Sequence, residues 1–196
     1  MKFEESQTKE NLMRAFAGES QARNRYTFAA GVAIKQGHHM IGDAFLFTAN
    51  QEKEHAEIFY NHLEAMAGQT IYIDGGYPVD LSQDVKTLLE YARHNEYEEF
   101  EDVYQNFAEV ATQEGFLKVA QDFKNIADIE KTHGDRFDQL AKWMENNELY
   151  HSNSKIQWMC LNCGFIFEGT QVPEKCPVCN HDQGYFIRLE YAPFTK

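Results

Sequence analysis

The sequence predicts a mainly α fold: a four-helix bundle with one long crossover, followed by a small metal-bound β module. Three observations predict it. Four runs of helical length carry apolar residues at every third or fourth position. A single stretch containing Gly75, Gly76 and Pro78 separates the second run from the third. All four cysteines fall in the last 40 residues, as two Cys-x-x-Cys pairs.

The first helix is expected over 6–35, with Ser6 or Thr8 as its cap and KQGHH as its breaker. The second spans about 40–66 and ends at Gly68. The connection GQTIYIDGGYPVD (68–80) follows. A third helix starts after Ser82 and runs to about 113, stopping near Gly115, and the fourth covers about 116–145. Two tightly turned helix pairs joined by one long connection make a bundle with a single crossover. The crossover has the reach: its extended residues span at most about 45 Å, and a 27-residue helix is roughly 40 Å long. Residues 1–146 are therefore assigned to the bundle and 147–155 to a polar linker without periodicity. Residues 156–196, short alternating stretches around the cysteines, form the β module.

Composition narrows the function classes. With 43% hydrophobic and 25% charged residues the chain has the make-up of a globular protein. Its 31 acidic against 18 basic residues give a net charge of −13, which argues against nucleic acid or an anionic membrane surface as partner. No stretch approaches the roughly 20 apolar residues of a membrane span. The start MKFEESQTKE lacks the apolar segment of a signal peptide, so the cytoplasm is the expected compartment.

The chemistry lies where the apolar stripes are interrupted. On the fourth helix the stripe reads Val119, Phe123, Ile126, Glu130, His133, Phe137, Leu140, Met144. On the second it reads Ile41, Phe45, Thr48, Glu52, His55, Phe59, Met66. The third carries Val85, Leu89 and Ala92 into Glu96 and Glu99, then Val103 and Val110, and the first flanks a single Glu19 with Leu12, Ala15, Ala22 and Tyr26. The levels agree. Glu19 and Glu52 lie 33 residues apart about the KQGHH turn, and Glu96 and Glu130 lie 34 apart about the TQEG break. The bundle therefore carries an internal two-fold. A lone Glu-x-x-His is an ordinary exposed helical pair. Two copies, EKEH and EKTH, in register with two further core glutamates describe a dinuclear metal site. Buried carboxylates without counterions are prohibitively unfavourable, two cations relieve the penalty, and the donors suit iron or manganese. Glu99 is not needed for the minimal set, so it is either an extra ligand or an acid beside the ligands. The remaining histidines, His38, His39, His62, His94, His151 and His181, read as surface or packing residues.

The tail reads CLNCG (160–164) and CPVC (176–179). Four thiolates, from Cys160, Cys163, Cys176 and Cys179, make a tetrahedral site suited to zinc or to one iron. A module this small needs its metal to fold. A dinuclear site that cycles between redox states needs an electron supply, and a one-iron centre carries single electrons. That pairing favours iron.

GESQARNRY (18–26), EKEH, NEYEEF (95–100), EKTH, CLNCG and CPVC, in this order, resemble the rubrerythrin family over nearly the whole chain. The resemblance implies a ferritin-like di-iron bundle with a C-terminal rubredoxin-like domain. It implies a non-haem peroxidase that reduces hydrogen peroxide to water in oxidative-stress defence. Electrons would come from a rubredoxin or an NAD(P)H-dependent reductase. Two irons would be held by Glu19, Glu52, His55, Glu96, Glu99, Glu130 and His133, and a third by the four cysteines. One iron would exchange Glu99, bound when oxidised, for His55, bound when reduced. Tyr26 and Tyr104 match tyrosines beside the site, and a homodimer, read as head-to-tail, is expected. Asn180 departs from the glycine usual in free rubredoxins. The alternative from another class is an iron-storage or ferroxidase protein with an inert zinc ribbon. An oxygen-activating oxidase lacks a visible radical path here, and a manganese catalase needs no electron-transfer domain.

Overall fold

Ser6 rather than Thr8 caps the first helix, accepting from the Lys9 amide at 3.1 Å. Thr8 is held instead by Glu114, which accepts from the Gln7 and Thr8 amides and ties the start of the first helix to the end of the third run. In the computed structural model, which describes residues 2–193, α1 spans Gln7–Lys35 and α2 His39–Asn61. The second helix is thus shorter than its pattern suggests, because the chain leaves it at His62 and makes a separate 3-10 turn at Glu64–Met66. The third run is divided: α3 covers Val85–Glu98, a π turn covers Glu99–Val103 and α4 covers Tyr104–Glu114. Gly115, at φ 91°, ends it, and α5 runs from Leu117 to Glu145.

The crossover between α2 and α3 is fastened at both sides. Arg14 on α1 donates to Asp74, and Asp80 receives both Arg25 from α1 and Asn95 from α3. No helix among the described residues is long and apolar enough to cross a membrane.

Two apolar clusters fill the bundle. One contains Tyr26, Ile41, Phe45, Leu89 and Phe137, and the other Leu12, Phe59, Tyr104, Phe123 and Ile126. The ionisable positions of the stripes lie between them. The π turn explains where the expected stripe of the third helix goes astray. One extra residue is absorbed in the turn, so Tyr104, Ala108 and Ala111 face the core, whereas Val103 and Val110 are only half-buried. The 33- and 34-residue separations have the same origin. From Tyr26 to Glu52 and from Tyr104 to Glu130 the distance along the chain is 26 residues in both halves.

The C-terminal module is an antiparallel sheet in the order β2-β1-β3, with β1 at His151–Cys160, β2 at Ile166–Gln171 and β3 at Phe186–Arg188. Its core is Trp158, Cys160, Val172, Cys176 and Phe186. The stretch expected to be a linker, 147–155, is in part the first half of β1, paired through His151 and Gln171 with a register shift before Ile156. Polarity conceals this strand because most of its first half is exposed. Leu149 and Tyr150 pack on the bundle core, so the connection is anchored.

Candidate metal centre

Each helix run brings its interrupted stripe to one level: α1 supplies Glu19, α2 Glu52 and His55, α3 Glu96, and α5 Glu130 and His133. All six side chains are buried. Their donor atoms form two groups sharing Glu52 and Glu130, and within each group the atoms lie within 4.8 Å of one another. One group adds Glu19 and His55, the other Glu96 and His133. His55 Nδ1 is 2.9 Å from Glu130 Oε1, 3.0 Å from Glu52 Oε2 and 4.0 Å from Glu19 Oε1. His133 Nδ1 is 2.8 Å from Glu130 Oε2, 3.0 Å from Glu52 Oε1 and 3.5 Å from Glu96 Oε2. Glu52 and Glu130 therefore present one oxygen to each side, and the two imidazoles stack at 5.6 Å.

Crowding sets the electrostatics. Burial, followed by the Glu130, Glu99 and Glu52 charges, pushes Glu19 well above the ordinary carboxylate range. Burial and Glu52 push Glu96 up to about 8. Burial would also raise Glu130, but His133 and His55 outweigh it and bring Glu130 to about 2. Burial depresses both imidazoles, yet the carboxylates around them prevail, lifting His55 to about 9 and His133 to about 12.

The donor set fits metal. Glu19 Oε2, Glu52 Oε1, Glu96 Oε2, both Glu130 oxygens and His133 Nδ1 are buried with no hydrogen-bond partner. His133 Nδ1 thus sits close to three carboxylates and is aligned for a hydrogen bond with none of them. Unpaired buried polar atoms cost about 1–3 kcal/mol each. Two multivalent cations among them would satisfy all six, and carboxylate with imidazole suits iron.

Two tyrosines orient the outer carboxylates in a crossed pattern: Tyr26 on α1 donates to Glu96, and Tyr104 on α4 donates to Glu19. Burial first, and the adjacent glutamates next, raise both phenols well above their usual range, so both stay protonated. Glu99 is the one expected ligand outside both groups. Placed at the start of the π turn, it lines a cavity of about 240 Å³ with Tyr104, Asn95, Gly18 and Tyr77. Burial and the charges of Glu96, Glu130 and Glu52 keep its carboxyl well above the usual range.

Behind His133 lies an arrangement with no sequence signature. Its Nε2 is 3.1 Å from Gln51 Oε1, which Arg136 Nη1 also approaches, at 3.3 Å. The Asp80–Arg25–Asn95 fastening beside the cavity was equally invisible, since its members lie on three separate elements.

The cysteines form the second centre. Sγ atoms of Cys160 and Cys179, and of Cys163 and Cys176, are each 3.7 Å apart, and all four lie within 4.8 Å. A tetrahedron with metal–sulfur bonds of about 2.3 Å has edges of about 3.8 Å. The knuckles are alike: Gly164 donates to Cys160 O at 2.8 Å and Asn180 to Cys176 O at 2.9 Å. Of the other histidines, His38 meets Tyr150, His39 stacks on Tyr185, and His62 pairs with Asp122.

Comparison with known proteins agrees with both centres. The family model described as rubrerythrin matches residues 10–141, and that of the rubrerythrin rubredoxin-like domain matches 158–187. The chain is 45% identical over 182 residues to a rubrerythrin of Clostridium perfringens (strain 13 / Type A), covering 92% of this chain and 93% of that one. Rubrerythrin-1 of Clostridium acetobutylicum is 44% identical over 183 residues, with the same coverage. Among solved structures, fully reduced, all-ferrous nigerythrin matches with a TM-score of 0.63 and 27% identity, covering 95% of this chain and 91% of that one.

Proposed function

The chain belongs to the rubrerythrin family, with its di-iron and rubredoxin-like domains, and on that premise we propose that it reduces hydrogen peroxide to water. The observation that carries this reading is a pair of donor groups sharing Glu52 and Glu130 in the same chain as a four-thiolate site. When bound, the paired irons supply the two electrons that cleavage of the peroxide O–O bond takes up, and the four-thiolate iron replaces them singly.

The protein's own residues do the rest. Glu19, Glu52, Glu96, Glu130, His55 and His133 hold the pair. Tyr26 and Tyr104 keep the outer carboxylates aimed inward. The cavity beside Glu99 is large enough for a small peroxide and is lined on one side by the crossover at Gly76 and Tyr77. Peroxide reduction takes up two protons, and the Glu99 carboxyl, raised by burial and the neighbouring carboxylates, lies on the cavity side. The resemblance assigns Glu99 to the oxidised site and His55 to the reduced one. His55 among the carboxylates and Glu99 on the cavity support that pairing.

The cysteine module docks at the α1–α2 turn, where Tyr185 stacks on His39. Thirteen helical residues, about 20 Å, separate His39 from Glu52. That separation favours delivery of electrons to a second copy's site in a head-to-tail homodimer, with a rubredoxin or an NAD(P)H-dependent reductase as donor.

The test is anaerobic reduction followed by peroxide titration. Two irons of the bundle should be oxidised per peroxide, and the thiolate-to-iron colour should bleach with donor and return with peroxide. Cys160→Ser should abolish donor-driven turnover while sparing a single oxidation by peroxide. Loss of both would end the proposed division of labour. Oxidation by dioxygen in preference to peroxide, with mineral growth, would favour iron storage instead.

A further inference from the structure

His133 and His55 hold equivalent places in the two halves of the bundle, yet only one ring is fixed from behind. Arg136 Nη1 reaches Thr48 Oγ1 at 2.7 Å as well as Gln51 Oε1 at 3.3 Å. A guanidinium only donates, so the Gln51 atom it shares with His133 is the acceptor oxygen. The imidazole must therefore bring a proton to the 3.1 Å contact at Nε2. Its Nδ1 is then the nitrogen facing Glu52, Glu96 and Glu130, and with a cation bound there it offers its lone pair. The supports are themselves held: Thr48 donates to Ala44 O at 3.0 Å, and Arg136 lies over the Phe47 ring at 5.1 Å.

The internal repeat supplies a control. A step of 78 residues carries Glu52 to Glu130 and His55 to His133. The same step carries Thr48 to Ile126 and Gln51 to Ile129, and taken backwards it carries Arg136 to Ile58. At the equivalent positions of the other half, the three polar residues are three isoleucines. Among the described residues, His55 hydrogen-bonds through Nδ1 alone.

We propose that Thr48, Gln51 and Arg136 form a clamp that fixes His133 in one orientation and one tautomer, and that its absence behind His55 leaves His55 free to leave. The clamp stands on this geometry. Only its consequence, that His55 and not His133 exchanges with Glu99, rests on the peroxidase reading.

The test begins without peroxide. Fe²⁺ is titrated anaerobically against a chelator into protein whose four-thiolate site is already filled. Removing the partner behind a ligating imidazole weakens binding about 10- to 100-fold. Gln51→Leu should show that loss, and Gln51→Glu, which keeps an acceptor facing Arg136, should restore wild-type affinity. Ring nitrogen NMR of the Zn²⁺-loaded wild type should find His133 protonated at Nε2 and slow to exchange with solvent. A His133 proton that exchanges as fast as that of His55 would overturn the clamp without any variant, as would unchanged affinity in Gln51→Leu. Grafting the clamp by Ile58→Arg with Ile129→Gln, at positions 39% and 36% exposed, should fix His55 and slow peroxide turnover about tenfold or more. Unaltered turnover in the graft would sink the assignment of His55 as the mobile ring. A wild type that binds iron yet reduces no peroxide would end the functional reading and leave the clamp, measured by affinity, standing.

Discussion

At Asn180 the backbone takes φ 61°, and at Gly164, its counterpart in the other knuckle, φ 76°. Both residues point an amide back at the first cysteine of their pair. Asparagine is among the few side chains that tolerate the left-handed region, which is why the departure noted from the sequence leaves the knuckle intact. Asn180→Ala is expected to cost about 1 kcal/mol and Asn180→Gly nothing, read as the melting temperature of the metal-loaded module and its rate of iron loss to a chelator. The same scale contains what the sequence disclosed most fully. Donor type and spacing named Glu19, Glu52, His55, Glu96, Glu130 and His133, and these six converge. Gln51 and Arg136 escaped because a polar residue beside a ligand looks the same whether or not it touches the ring behind.

The π turn is the element on which the second half differs from the first. Glu19 and Tyr26 are seven residues apart on an unbroken helix, whereas Glu96 and Tyr104 are eight apart with the turn between them. Glu99 follows Glu96 by three residues as Ala22 follows Glu19, but Glu99 opens the π turn and is half-buried where Ala22 is buried. The extra residue brings Tyr104 back into phase with Glu19, and Glu99, at the start of the turn, lines the cavity. Deleting Asp102 restores the seven-residue spacing. The expected product keeps helical circular dichroism and binds two irons in the bundle, but peroxide turnover falls by about tenfold or more. Turnover at the wild-type rate would show that the extra residue of the second half is not used. The one-residue inequality in the repeat was already present in the sequence. Its location was not, because a single inserted residue can be absorbed anywhere in a long helix.

Across the whole molecule the decisive contact joins the module to the bundle. A Cβ on Gly184 would overlap the carbonyl oxygen of Gly37 in the α1–α2 turn. Around that contact Tyr185 stacks on His39 at 4.0 Å, and Tyr150 Oη lies 3.0 Å from His38 Nδ1. Two of the histidines read as packing residues are thus the docking surface. Arg188 joins the two parts further, lying over Trp143 of α5 at 4.5 Å and Trp158 of the module at 5.3 Å. Gly184→Ala is expected to cost about 1–3 kcal/mol of docking. Hydrogen exchange should quicken at 37–40 and 184–186, while the bundle core and the four-thiolate site stay protected. Unchanged exchange there would mean that the turn yields and the contact does not hold the module.

By itself the sequence determined the helix runs, the level of the buried donors and the four-thiolate site, because each is written in periodicity or spacing within a short window. Tertiary structure decided where the extra residue of the third run is absorbed, that β1 begins inside an apparently plain polar stretch, and that Glu99 faces a cavity while His55 faces the carboxylates. It also decided which imidazole is held from behind. These depend on contacts between residues tens of positions apart, such as Gln51 with His133, Tyr104 with Glu19 and Gly184 with Gly37. No local pattern encodes such contacts, since the partner's position is set only once the helices have packed.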